Sequence, residues 1–265
     1  SMVNPIIIKK KIDPFKKKIS VSGDKSLSIR WALLASQAKG KSRAYNLLRS
    51  LDIKSTLNSL KKLGVKIKLK KKYCEINGQG INSFKNGKRI ILDAGNSGTF
   101  ARLILGLLVH RKNKTKIIGD KSLSKRDFGR VILPLKKFGA NFKYEKNFRL
   151  PIEINGTDNA KPITYHEKKG SAQCKSAIML AALNTKGETK IKAKKSRNHS
   201  EILFKYLKIP INIRKSKKFD FIKIKGQKQF SSFNYNIPSD ISSSAFFIVL
   251  TLLSKKSEIT IKDVN

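Results

Sequence analysis

Four segments place small residues, hydroxyls and a cation at the spacing of one helical turn. They are GDKSLSIR (Gly23–Arg30), GNSGTFAR (Gly95–Arg102), GDKSLSKR (Gly119–Arg126) and GSAQCKS (Gly170–Ser176). A small residue is followed four positions later by a cation where helix starts are read: Ser26 by Arg30, Gly98 by Arg102, Ser171 by Lys175. If each small residue opens a helix, residues four apart share a face and the cation stands behind the helix mouth. A helix N-terminus carries unpaired N–H groups and partial positive charge, and small residues let an anion come close. The chemistry this pattern suits is the gripping of small polyanions by charge-assisted hydrogen bonds. Taken singly, each feature has a plainer reading. Ser or Asp at a helix start is a cap; Asn96 and Gln173 can satisfy local backbone; Lys25 and Arg126 can be solvated charges. The constellation carries the reading.

The helices and strands around these residues repeat. The starts at Ser26, Gly98 and Ser171 recur about every 72 residues, and a fourth falls at Ser242. That fourth start has Phe246 where the others have a cation, and Asp240 ahead of it, so it is not expected in the same pocket. Three further segments read as a helix end, a break, and two strands joined by a basic turn: Leu60–Gly80, Leu135–Thr157 and Leu203–Gln227. Within the first, Val65 to Leu69 alternates apolar and basic, as a half-buried strand does. Their closing glycines are read as Gly80, Gly156 and Gly226. The pattern predicts a copied β-α-β-α-β-β unit in an α/β (α+β) protein. Three units are complete by about Gln229, and a fourth begins near Ile237, so the chain is expected to be truncated relative to its own architecture. The two GDKSLS octapeptides do not share this period. The first is read as opening a helix. The second comes after a strand, Lys114 to Gly119, and leads to another helix.

The chain of 265 residues carries a formal net charge of +42, with 59 basic and 17 acidic residues. The lysines are spread from end to end in short runs without interleaved aromatics, and Arg, the usual base reader, is the minority cation. That distribution reads as solvated surface, with no specific nucleic-acid partner. Cys74 and Cys174 lack a CxxC partner and read as reduced thiols. His110, His166 and His199 are scattered, so no metal and no cofactor are expected. Trp31 is read as core. No signal peptide is read at the N-terminus, and the apolar run Ala245–Leu253 is too short to span a bilayer. The expected location is cytoplasmic.

Together the motifs resemble the 5-enolpyruvylshikimate-3-phosphate synthase family. SGDKSLSIRWALLASQA resembles the family's PGSKSxSxR opening, LDAGNSGTFARL its GNAGTxxR loop, and GDKSLSKRDFGRVILPLKKFGA its GDxSLxxRPMxRVxxPLxxMGA segment. GSAQCKSAIMLAAL, SRNHSE and IPSDISSSAFFIV resemble further blocks, in family order. The resemblance implies the enolpyruvyl transferase fold and a transferase that moves the enolpyruvyl group of phosphoenolpyruvate onto the 5-hydroxyl of shikimate 3-phosphate, releasing phosphate. It implies that Lys25 touches both substrates and assists proton transfer. It implies that Ser26, Arg30, Ser171, Ala172, Gln173, Ser196 and Arg197 hold shikimate 3-phosphate. Asn96, Gly98, Thr99, Arg126 and Gln173 would line the phosphoenolpyruvate side, and Gly98 implies glyphosate sensitivity of an intact enzyme. By the same resemblance, residues 1–21 form a crossover strand of another domain. Residues 22–233 form a three-repeat substrate-gripping domain, and 234–265 begin the second domain. The other half of the cleft, with the family's general base, would be absent, and the chain alone is expected not to turn over. A monomer is expected for an intact form, and self-association for a truncated one.

Three positions depart from the family pattern. Asp24 stands where Ser is usual, Ile29 where Asn is common, and Asp127 where Pro is usual. The two acids either weaken anion binding or cap local backbone. A sister family, UDP-N-acetylglucosamine enolpyruvyl transferase, carries a cysteine in the loop matching Gly119–Arg126; none is present there. A third reading, a basic nucleic-acid-binding protein that reuses the domain, rests on the charge alone.

Overall fold

The structure is a computed structural model that describes residues 24–239. The first unit runs α1 (Lys25–Gln37), β1 (Lys39–Tyr45), α2 (Leu51–Lys62), β2 (Lys66–Leu69) and β3 (Tyr73–Gln79). The second runs β4 (Ile90–Asp93), α3 (Gly98–Leu108), β5 (Lys114–Ile118), α4 (Gly129–Phe138), β6 (Asn141–Glu145) and β7 (Arg149–Asn155). The third runs β8 (Thr164–Glu167), α5 (Ala172–Leu183), β9 (Glu188–Lys194), α6 (His199–Tyr206), β10 (Ile211–Lys215) and β11 (Phe219–Lys225). A last short strand, β12, spans Asn234–Asn236. The expected crossover segment 1–21, the fourth helix start at Ser242 and the apolar run Ala245–Leu253 lie outside the described residues.

Each unit owns one four-stranded sheet. The orders are β12-β1-β3-β2, β4-β5-β7-β6 and β8-β9-β11-β10. In each, the first pair is parallel and the other two are antiparallel. The second and third units contain all six of their expected elements. The first unit takes its opening strand from the far end of the described chain: β12 pairs with β1, Arg43 opposite Asn234. These residues fall in the segment expected to begin a second domain, yet here they complete the first sheet.

The central helices α1, α3 and α5 form the core. Every residue of α1 from Leu27 to Gln37 is buried, as is every residue of α5 from Cys174 to Leu183. A helix apolar on all sides belongs inside, and Trp31 sits there fully buried, as do both thiols. Gly106 lets α3 approach α5; a Cβ on it would stand 2.2 Å from the Ala177 carbonyl oxygen. The glycines that press each hairpin onto its central helix are Gly78, Gly156 and Gly226. A Cβ at each would lie within 2.5 Å of main-chain carbonyls at the end of α1, α3 or α5. Gly80, read as the closing glycine of the first hairpin, follows β3 directly, with φ +101° and the Gln229 side chain against it; the close approach to the helix falls to Gly78.

One buried histidine gives this core a pH response. His110 Nε2 lies 2.8 Å from Thr185 Oγ1, and that hydroxyl donates to the Ala181 carbonyl. Nε2 must therefore carry the proton, leaving Nδ1 bare and buried. Burial pushes the His110 pKa down to about 4. An unfolded histidine titrates near 6.5, so the unfolded chain gains a proton first as pH falls. The stability is complete above pH 6.5 and drains away toward pH 4. Between pH 7 and pH 4.5 the loss from this group is expected to be about 2–3 kcal/mol. Urea unfolding of His110→Gln, which keeps a donor for Thr185 but does not titrate, should show a flatter pH dependence. An unchanged slope would refute the assignment.

Candidate active site at the helix mouths

The N-termini of α1, α3 and α5 are each capped by a side chain. Asp24 Oδ1 accepts from Leu27 N at 2.8 Å, Ser97 Oγ from Phe100 N at 3.1 Å, and Ser171 Oγ from Cys174 N at 3.1 Å. Asp24 is thus spent on the helix start, and Asp127 likewise accepts from Gly129 N at 2.6 Å. Both acids among the departures from the family pattern are engaged by local backbone N–H groups.

The second octapeptide repeats the first one's cap and then diverges. Asp120 Oδ1 accepts from Leu123 N at 2.8 Å, the same offset as Asp24 to Leu27. Only a 3₁₀ turn comes after it, Leu123–Lys125, because the polar Ser-Lys-Arg-Asp run offers no apolar face to bury. Helix α4 starts later, at Gly129. Backbone N–H donation from Leu123, helped by the Asn96 amide, holds the Asp120 carboxyl below its ordinary range. Asn96 Nδ2 donates to both Asp120 oxygens, at 3.1 and 2.9 Å, and so ties the second motif to the third.

Two cation clusters flank the mouths. In the first, Arg30 lies buried behind Ser26. Its Nη1 donates to Ser26 Oγ at 2.6 Å, its Nε to Ser200 Oγ at 2.8 Å, and its Nη2 to Ser176 Oγ at 3.1 Å. Burial lowers the Arg30 pKa to about 10, and Arg197 adds to the lowering while Glu201 and Asp24 oppose it. The guanidinium stays charged at neutral pH. Lys175 is buried beside it, ion-paired to Glu201 at 2.8 Å. Its ammonium also donates to Ser196 Oγ at 2.8 Å and to the Arg197 carbonyl at 3.0 Å. Lys175 therefore anchors the Ser196 hydroxyl and the Arg197 backbone, both expected from sequence. Arg197 itself is exposed.

The second cluster surrounds Gly98. Arg102 Nη1 donates to the Gly98 carbonyl at 3.3 Å and to Gln173 Oε1 at 3.2 Å, and its guanidinium rests 4.7 Å from the Phe128 ring centre. Gln173 Nε2 donates to Thr99 Oγ1 at 2.9 Å, which locks the first turns of α3 and α5 together. A Cβ on Gly98 would meet Arg102 Nη1 at 2.8 Å and Arg126 Nη1 at 3.9 Å. Burial lowers the Arg102 pKa, and Arg126 and Arg130 lower it further. A guanidinium whose charge is opposed by burial and by neighbouring cations suits an anion as its partner.

Of the residues expected from sequence, Ser26 is bonded by Arg30, Ser196 and the Arg197 carbonyl by Lys175, and Thr99 by Gln173, while Arg126 approaches Gly98; Ser171 caps α5, and Ala172 is its first residue. Asn96 is exposed at the rim. Lys25 reaches instead to Asp52 on α2, at 3.4 Å with its side chain about half exposed. A pair this exposed is worth little and releases its lysine readily. The motifs did not single out Ser176, Ser200 or Glu201. Ser200 and Glu201 lie inside SRNHSE, where the buried acid two residues after a histidine was the available signal. Among the described residues no group of three or more His, Cys, Asp or Glu could hold a metal ion, and no helix is long and apolar enough to cross a membrane.

A family model for EPSP synthase (3-phosphoshikimate 1-carboxyvinyltransferase) matches residues 9–265. The chain belongs to the EPSP synthase family. The 3-phosphoshikimate 1-carboxyvinyltransferase of Streptococcus pyogenes serotype M2 is 39% identical over 254 residues, covering 95% of this chain and 58% of the relative. That of Thermoanaerobacter sp. (strain X514) is 41% identical over 250 residues, covering 93% and 57%. A solved EPSP synthase from Acinetobacter baumannii superposes with a TM-score of 0.78 at 33% identity, covering 86% of this chain and 51% of that one. The chain thus spans less than two thirds of the length of these EPSP synthases, and it has their enolpyruvyl transferase fold over the shared part.

Proposed function

We propose that this chain supplies one wall of an enolpyruvyl transfer site, gripping shikimate 3-phosphate and phosphoenolpyruvate between the two cation clusters. The observation that carries the reading is the bridge made by Gln173, whose amide joins the mouths of α3 and α5 through Arg102 and Thr99. Ser26, Arg30, Ser171, Ala172, Ser196 and Arg197 would hold the phosphate and ring of shikimate 3-phosphate. Asn96, Gly98, Thr99 and Arg126 would hold phosphoenolpyruvate, with Gln173 facing both. Lys25 would swing from Asp52 to the reacting groups. The residues span the domain expected at 22–233, and the enzyme would be cytoplasmic.

The wall binds but does not complete the chemistry. Asp24, Asp120, Asp127 and Glu167 around the mouths each accept a backbone N–H, and Glu201 is paired with Lys175. A carboxylate engaged in this way is a poor general base, and proton transfer needs a group within hydrogen-bond reach of the substrate. Abstraction of the 5-hydroxyl proton is therefore assigned to a residue across the cleft, and no turnover is expected from this wall alone.

Calorimetric titration with shikimate 3-phosphate at moderate salt tests the reading, with plain shikimate and inorganic phosphate as controls. Saturable binding that requires both ring and phosphate is expected. Binding matched by phosphate alone would overturn the assignment of the first cluster.

A further inference from the structure

The three units share one plan, so their outward sheet faces can be compared position by position. Gly78, Gly156 and Gly226 mark equivalent points at the ends of β3, β7 and β11. Three residues before each lies the centre of the outward face: Glu75, Glu153 and Lys223. Glu75 stands between Arg43 of β1 and Lys68 of β2, and pairs with Arg43 at 3.1 Å. Glu153 stands between Lys116 of β5 and Lys143 of β6, and pairs with Arg89 at 3.4 Å. Lys223 stands between Lys190 of β9 and Asn212 of β10. Two units place an acid between two cations. The third sets two ammonium groups opposite each other, an arrangement that costs stability unless an anion intervenes.

The same face carries aromatic rings. Phe221 lies between Lys192 and Arg214, with the Arg214 guanidinium 4.2 Å from its ring centre. Lys192 Nζ lies 4.6 Å from the Phe219 ring centre, and His166 meets Phe219 edge-on at 5.7 Å. A shallow groove of about 440 Å³ crosses the face and has no acidic residue in its lining. The acid of this face, Glu188, sits outside the groove, opposite Lys225 at the strand ends.

We propose that the outward face of β8–β9–β11–β10 is a docking surface for single-stranded nucleic acid. The phosphates would supply the charge that Glu75 and Glu153 supply in the sister units. The bases would stack on the outer face of the Arg214 guanidinium, which Phe221 backs from the other side, a platform that accepts any base. An acidic protein segment would meet the charge but leave the platform unused. The net charge does not lead to this surface, because lysines lie everywhere; the unit-by-unit comparison does. The face shares no residue with the helix mouths, so the proposal stands apart from the enzymatic reading.

The test is fluorescence anisotropy of the full chain with a labelled oligouridine of about 15 nucleotides, near physiological salt. Lys223→Glu restores the sister units' acid, and Lys116→Glu makes the same charge change on the second unit's face. Both lysine positions face outward, and thermal unfolding checks that each variant is folded. Lys223→Glu is expected to weaken binding about tenfold and Lys116→Glu less than about twofold. Phe221→Ala, with no change of charge, is expected to weaken it about fivefold. Equal losses for the two lysine variants would mean diffuse charge attraction and overturn the proposal. So would an unaffected Phe221→Ala, or no binding by the unaltered chain. Tighter binding to polyglutamate than to oligouridine would reassign the face to an acidic protein.

Discussion

Glu201→Ala is expected to lower the stability of this chain by about 3–5 kcal/mol and to abolish shikimate 3-phosphate binding. Lys175 is 1% exposed and Glu201 4% exposed, so removing the acid leaves an ammonium with no countercharge and no water. The serine hydroxyl of Ser196 and the Arg197 carbonyl would remain as its partners, and neither neutralises it. Losing that anchor also releases the segment that positions Arg197. Urea unfolding measures the first effect and calorimetry the second. The double variant Lys175→Met with Glu201→Leu removes both charges and should recover most of the stability but not the binding. Recovery of both would show that the pair supports the fold and has no part in the grip.

Gly226→Ala comes next in size. Its methyl would lie 1.9 Å from the Thr185 carbonyl oxygen and 2.3 Å from that of Ala182. Both are main-chain atoms at the end of α5, so the strand or the helix must move. The expected cost is about 3 kcal/mol or more. Gly64→Ala is the matched control. Gly64 has φ +96° with nothing within 4 Å, so an alanine there meets backbone strain but no neighbour. About 1 kcal/mol is expected for it. Urea midpoints of the two variants, measured side by side, decide whether close packing or backbone freedom dominates at these glycines. Equal losses would refute the dominance of packing.

The three-unit plan was readable because local patterns repeat. The starts at Ser26, Gly98 and Ser171 and the basic hairpins each lie within a few turns of chain. The mouths themselves were readable for the same reason: small residues and a cation one turn apart are visible in one short stretch of sequence. Pairings made at a distance escaped. Nothing local distinguishes Gly78 from Gly80 as the packing glycine, since the choice depends on where the end of α1 falls. Ser176 and Ser200 look like ordinary helix serines until Arg30 is placed between them, 146 and 170 residues away in sequence. The two octapeptides share a cap and differ in outcome, because the residues after each cap must find a core to cover. β12 reads as the start of something new and turns out to close something old.

That closure bears on how the chain is made. The partner of Arg43 is Asn234, 191 residues later. At ribosomal speeds the interval is on the order of ten seconds or more. During it, the edge of β1 that β12 will cover presents its N–H and C=O groups to any neighbouring chain. The second and third units can assemble their sheets as they emerge, each from contiguous sequence. The unit written first is therefore finished last, and the nascent chain is most open to wrong partners in the part that has been waiting longest.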